Sequence, residues 1–214
     1  MRTRIKRFLK QRTDMLAGVS HDLRTPLTRM KLQLSLLKDE KAKKELELDI
    51  NEMTAMLDSY VSFVRSEAPE PIENINFNKL IKDIIKNIDS KKYNINFLEK
   101  NIIKTSGRPL QLKRAIQNII DNSLRYSDKL NIEILLSNDG CILIIEDNGP
   151  GIPDKNHEDV FKPFFSLDPS RNKLKGESGL GLSITRDIIR SHGGEIKLSK
   201  SSYGGLKSII QLPI

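Results

Sequence analysis

Tryptophan is missing altogether, aromatic residues make up only 5% of the chain, and cysteine occurs once, at Cys141. A single thiol excludes a disulfide framework and any cysteine-built zinc site. Cys141 lies in an apolar run and reads as a core residue of a reducing compartment. His, Asp and Glu show no zinc-like spacing either. No run of about eighteen apolar residues occurs, so no membrane span is expected. Nor does an apolar stretch follow the basic start, as a secretory signal would require. Acidic residues are absent from positions 1–13, where Arg2, Arg4, Lys6, Arg7, Lys10 and Arg12 supply six of the eight excess positive charges. The rest of the chain is nearly balanced. That distribution argues against a nucleic-acid partner and for a juxtamembrane or linker helix. With 214 residues, 37% apolar and 30% charged, one or two domains with a long charged helical part are expected.

What is present begins with a seam. Leu16, Val19, Leu23, Pro26/Leu27, Met30, Leu34 and Leu37 alternate by threes and fours, the pattern of a helix with an a/d stripe. Taking Leu16 as an a position puts His21 at f, on the outer face, beside Asp22. Thr25 shares that face one turn on. Pro26 should kink or loosen the helix, at a cost of about 3 kcal/mol in a helix interior. Mobility beside a reacting side chain would explain it, as would tolerance by a strong dimer. Residues 1–37 read as one helix, Lys38-Asp39-Glu40-Lys41 as a polar break. Leu46, Ile50, Met53, Leu57, Tyr60 and Val64 form a second helix ending near Ser66. Two such helices make a hairpin with one uncovered stripe, so two copies should pair as a four-helix bundle.

Ala68-Pro69-Glu70-Pro71 reads as a linker. Beyond it the expected elements are a short strand leading into a helix over Asn76–Asn87 and strands at Tyr93–Leu98 and Ile102–Thr105. An amphipathic helix at Pro109–Tyr126 follows. Leu130–Leu136 and Cys141–Glu146 should form a hairpin about Asn138-Asp139-Gly140. A Gly/Pro-rich stretch covers Asn148–Ser178. Helix Leu180–Ser191 and strands Glu195–Ser199 and Lys207–Leu212 close the chain. Helices on one face of a mixed sheet make an α+β two-layer sandwich.

Several motifs in this part suit nucleotide chemistry, though each has a plainer reading. Asn118 and Asn122 lie four apart on one helix; their amide oxygens can hold a hard cation or a phosphate-bound water, but such a pair is usually a surface feature. Asp147 ends a strand before Gly149 and Gly151, where a carboxylate can accept from an exocyclic amine; Asp-Asn-Gly is also an ordinary turn. Phe161-Lys162-Pro163-Phe164-Phe165 clusters aromatics, either under a lid or as a satellite core. Gly176, Gly179, Leu180 and Gly181 open a helix whose free N–H groups can meet phosphates, a weak signal alone.

The box His21-Asp22-Leu23-Arg24-Thr25-Pro26-Leu27-Thr28-Arg29 resembles the phosphoacceptor box of bacterial sensor histidine kinases, most of all the osmosensor (EnvZ) type. Gln117–Tyr126 is similar to that family's N box, Asp147–Gly151 to its D-x-G-x-G box, and Phe161–Phe165 to its F box. Gly176–Leu182 is similar to its second glycine box, and Gly204-Gly205 to a third, poorly specific one. The order of the boxes makes the match specific, and it covers essentially the whole chain. Ser123 stands where Ala is common, and Lys162 where Arg is common.

The resemblance implies a phosphoacceptor and dimerisation domain over 1–66, a linker over 67–73 and an ATP-binding domain of the histidine-kinase ATPase type over 74–214. It implies that His21 attacks the γ-phosphorus of ATP, Asp22 takes the proton, and the phosphoryl group passes to an aspartate of a response regulator. Mg²⁺ falls to Asn122, adenine to Asp147 and Tyr126, and the phosphates to Arg125 and the lid residue Arg171. Thr25 would orient a water for regulator dephosphorylation, or merely suits the helix before Pro26. A homodimer on the cytoplasmic side is expected, with a membrane connection only through an N-terminal sensor part missing here. His157 is expected to be solvated in the lid, and His192 to cap a helix end. Two rivals are a gyrase- or chaperone-like clamp, which is expected to carry a transducer domain after its ATP site, where this chain ends at Ile214, and a dimeric scaffold with a dead nucleotide domain, which would lack Asn122 or Asp147.

Overall fold

In the computed structural model, residues 23–36, 39–65, 70–138, 140–167 and 179–214 are described. His21, Asp22, Arg171 and Gly176 lie outside them. The chain divides into two compact units, Met1–Pro69 with Ser166–Leu180 and Glu70–Phe165 with Gly181–Ile214.

In the first unit, helix α1 is described over residues 23–34 and helix α2 over Glu40–Arg65. α1 stays helical through Pro26. The hydrogen bond that Pro26 deletes would have gone to the carbonyl of residue 22, outside the described residues. Asp39 begins α2: its Oδ1 accepts from the N–H groups of Lys41 and Ala42 at 3.0 and 3.2 Å, which satisfies donors the helix cannot. Leu27, Leu34 and Ile50 are buried and pack with Leu57. Leu23, Met30, Leu46 and Met53, from the same two stripes, stay exposed at 47%, 45%, 45% and 54%. Among the described seam residues, the hairpin thus covers only part of its stripes by itself.

The second unit is a sandwich. Strand β1 (Glu73–Asn76) runs into helix α3 (Phe77–Ile85), whose N-cap Asn76 accepts from Lys79 N–H. Then come β2 (Asn94–Glu99), β3 (Lys104–Gly107), α4 (Pro109–Tyr126), β4 (Lys129–Ser137) and β5 (Gly140–Asp147), followed by short 3-10 turns at Asp154–Asn156 and Asp159–Phe161. Helix α5 (Gly181–Ser191), β6 (Glu195–Lys200) and β7 (Leu206–Leu212) close the fold. The main sheet has the order β2-β4-β5-β7-β6 and is mixed: β2 is parallel to β4, the other neighbours antiparallel. β1 and β3 form a separate antiparallel pair.

Alternation decides which face is covered. Leu130, Ile132 and Ile134 of β4, Cys141, Leu143 and Ile145 of β5, and Ile210 and Leu212 of β7 are buried. Ile116, Ile119 and Ile120 of α4 and Ile184, Ile188 and Ile189 of α5 are buried as well. α4 packs on β4 and β5, and α5 on β6. This is the expected two-layer α+β architecture. One strand differs. Ile103 donates its N–H to Asn78 Oδ1 at 2.8 Å and accepts from Phe77 N–H at 2.9 Å, so β3 begins only at Lys104.

Candidate nucleotide site

Helices α4 and α5 lie side by side in opposite directions, fixed by three contacts. Asn118 Nδ2 donates to Gly181 O at 3.1 Å, near the start of α5. Thr185 Oγ1 lies 3.2 Å from Ala115 O, one turn along. Arg108 N–H donates to His192 Nε2 at 3.0 Å, at the far end. Gly179, Leu180 and Gly181 therefore run into the first turn of a helix held against Asn118. Asn122 is half-buried one turn beyond Asn118, and its side chain makes no hydrogen bond to any described residue. Arg125 and Tyr126 are exposed where α4 ends.

Asp147 is the last residue of β5 and only 4% exposed. Its Oδ1 accepts from Gly149 N–H and from Leu206 N–H, both at 3.0 Å. Two donors on one oxygen fix the carboxylate and leave Oδ2 as the acceptor that can serve a ligand. A side chain on Gly205 would put its Cβ 2.2 Å from Asp147 Oδ1. Glycine there is a packing requirement. Gly151 has φ +71 and lies against the Gly205 carbonyl. Glu146, the preceding residue, points the other way and accepts from Ser202 N–H at 3.1 Å and Ser202 Oγ at 3.3 Å. Two consecutive carboxylates thus grip the β6–β7 turn from opposite faces.

The Phe161–Phe165 cluster is divided. Phe161 is 2% exposed; Arg186 of α5 stacks over its ring at 4.7 Å and donates to its carbonyl at 3.3 Å. Phe164 is 55% exposed at φ +63. His157 corrects the expectation of a solvated side chain: its Nε2 donates to Ile152 O at 2.9 Å, and the ring is largely covered. Burial pushes the Cys141 thiol up to about 11, so it is a core group and no nucleophile. Thr25 stands exposed on α1.

Four contributors went unread in the sequence: Leu206, Ser202, Thr185 and Arg186. Gly205 was visible as half of a glycine pair, but nothing local tied it to Asp147. Hard oxygen donors suit Mg²⁺, which keeps several waters and takes few protein ligands. The unshared Asn122 amide, the free Asp147 oxygen and the glycine-lined turn therefore fit a magnesium nucleotide.

A mixed sheet with two antiparallel helices packed on it and a held carboxylate at a strand end is the architecture of a nucleotide-binding ATPase domain. Residues 107–214 match the histidine kinase-, DNA gyrase B- and HSP90-like ATPase family, and residues 11–69 match the His Kinase A (phospho-acceptor) domain. The chain belongs to the sensor histidine kinases of two-component systems. It is 33% identical over 217 residues to the sensor histidine kinase GtrS of Pseudomonas aeruginosa, covering 100% of this chain and 44% of that one. It is 30% identical over 227 residues to the sensor histidine kinase CpxA of Escherichia coli, covering 100% and 50%. The chain thus spans about half the length of these relatives. The mycobacterial sensor histidine kinase MprB superposes with a TM-score of 0.58 at 26% identity, over 67% of this chain and 97% of that one.

Proposed function

We propose that this chain is the cytoplasmic kinase core of a two-component sensor of the osmosensor (EnvZ) type, with the phosphoacceptor part over 1–66, a linker over 67–73 and the ATP-binding part over 74–214. The observation that carries the reading is Asp147, with one oxygen held by two backbone donors and the other left for a base. Neutral His21 forms a P–N bond to the γ-phosphorus of ATP as the bond to the departing ADP oxygen breaks; the ring proton passes to Asp22. Asn122 holds Mg²⁺, which supplies charge neutralisation along the phosphates. Asn118 orders the helix start that meets the phosphates, with Gly176, Gly179, Leu180 and Gly181 leading into it. Arg125 and Arg171 face the phosphates, and Tyr126 lies by the adenine. The phosphoryl group then moves to a response-regulator aspartate. The exposed halves of the α1 and α2 stripes support a homodimer. Attachment to a membrane would come through an N-terminal sensor part.

Incubation with γ-labelled ATP tests the reading. The label should be acid-labile and base-stable, as phosphohistidine is, and absent from His21→Ala. A stable ester or no label would overturn it. Thr25, exposed and one turn beyond His21 in sequence, supports a second activity, dephosphorylation of the regulator through an oriented water. Thr25→Ala should keep autophosphorylation while the half-life of phosphorylated regulator lengthens. An unchanged half-life would remove Thr25 from that role.

A further inference from the structure

Helix α4 has no cap of its own. Arg108 stands at the N-cap position without a side-chain cap bond, and Pro109, the first helical residue, has no N–H. The helix closes on itself only at Leu112, whose N–H donates to Arg108 O at 3.0 Å. The donors before that point are taken by residues far off in sequence. Arg108 N–H goes to His192. Leu110 N–H goes to Glu70 Oε1 at 2.7 Å, and Gln111 N–H to Glu70 Oε2 at 3.2 Å. A carboxylate there satisfies two orphan donors and meets the positive end of the helix dipole.

Glu70 belongs to the connection between the two domains. It lies between Pro69 and Pro71, whose rings stiffen the backbone that presents it. α2 ends at Arg65, five residues earlier. Such a stretch extends at most about 17 Å, so a larger movement of the end of α2 must pull on Glu70. The helix it caps carries Asn118, Asn122 and Tyr126 further along.

We propose that Glu70 is a positioning residue for phosphotransfer: by capping α4 it fastens the connection from the phosphoacceptor helices to the helix that bears the nucleotide residues, and its release sets how fast His21 is phosphorylated. The proposal rests on the kinase reading above. Glu70 touches no nucleotide and acts through α4. Phosphotransfer needs the nucleotide and His21 to meet, and a fastened connection restricts that approach, so release raises the rate.

The full chain is the test, with Glu70→Gln, which removes the charge and one acceptor, and Glu70→Ala, which removes both. Three quantities are measured: hydrogen exchange at the Leu110 and Gln111 amides, the dissociation constant of Mg²⁺-ATP, and the rate of His21 labelling. Exchange at those two amides should quicken by about tenfold. The dissociation constant should stay within about twofold, and the labelling rate should rise roughly threefold or more in Glu70→Ala, with Glu70→Gln between. Faster exchange with an unchanged labelling rate would make the cap purely structural and overturn the proposal. So would unchanged exchange, or nucleotide affinity falling in step with the rate. A parent chain that binds Mg²⁺-ATP yet never labels His21 would overturn the kinase reading, and the proposal with it.

Discussion

Asp147 keeps its two oxygens in different circumstances, and that difference makes a substitution informative. Gly149 and Leu206 offer only N–H groups to Oδ1. In Asp147→Asn the amide oxygen must stay turned toward them, which leaves the NH₂ facing the ligand. A donor there repels the exocyclic amine of adenine and suits the carbonyl of guanine. ATP affinity should fall by about 1–3 kcal/mol while GTP loses less, as competition binding would measure; equal losses would take Asp147 out of base recognition. Ser208 makes the opposite case. Its hydroxyl is the buried side-chain group without a partner among the described residues, on a residue 1% exposed. Ser208→Ala removes an unpaired polar group, so denaturant unfolding should find it neutral or up to about 1 kcal/mol more stable. His192 carries the pH dependence. Its Nδ1–H donates to Ile188 O at 2.7 Å, and Nε2 accepts from Arg108, so the folded state wants the neutral ring. Burial, ahead of every other influence, holds its folded-state pKa below the ordinary histidine value; the bond to the Ile188 carbonyl opposes this, Arg108 adds to it and Glu70 opposes it. The neutral ring therefore contributes stability that is fully present above about pH 6.5 and lost as the pH falls through the lower folded-state pKa. Denaturation midpoints taken between about pH 7.5 and 5.5 should fall more steeply for the parent than for His192→Gln; parallel profiles would refute the assignment.

At the scale of elements, the α1–α2 hairpin splits one seam into two halves. Leu27, Leu34 and Ile50 are buried within a single chain, while Leu23, Met30, Leu46 and Met53 are left out. Covering side chains of that size stabilises an assembly by about 1.5–3 kcal/mol each. Met30→Asp combined with Met53→Asp should turn a dimer into a monomer in equilibrium sedimentation, while Leu36→Asp, at a residue outside the seam and 81% exposed, should not. A parent chain already monomeric at micromolar concentration would remove the bundle. The same scale shows what periodicity can carry. α4 was legible at both ends, because Pro109 suits a first helical turn and apolar residues recur on one side as far as Leu124. β3 was misplaced by two residues because Ile102 and Ile103 look like strand. Asn78, a buried side chain from α3, takes the Ile103 amide instead.

Taken whole, the molecule pairs a hairpin with an incomplete core and a sandwich with a complete one. Composition anticipated that division: heptad stripes and charge come first, two prolines intervene, and alternating strands follow. The sequence by itself determined most of the elements, the mixed two-layer class, Asn118 and Asn122 on one helical face, and Asp147 at a strand end before glycines. Those features are local, set by periods of two or 3.6 residues and by turn chemistry. His192 caps its own helix end as read, through Ile188 O; the tertiary structure alone decided who holds Asp147, who caps α4 and that His192 also accepts from Arg108. Leu206 lies 59 residues from Asp147, Glu70 lies 40 from Leu110, and Arg108 lies 84 from His192. In each pair the donor is a backbone N–H, a group that every residue except proline carries, so no side-chain pattern could mark it. Strand register, which sets Glu146 opposite Lys207, brings Leu206 to the carboxylate. Helix packing brings His192 to Arg108. Neither is written in any single stretch of chain.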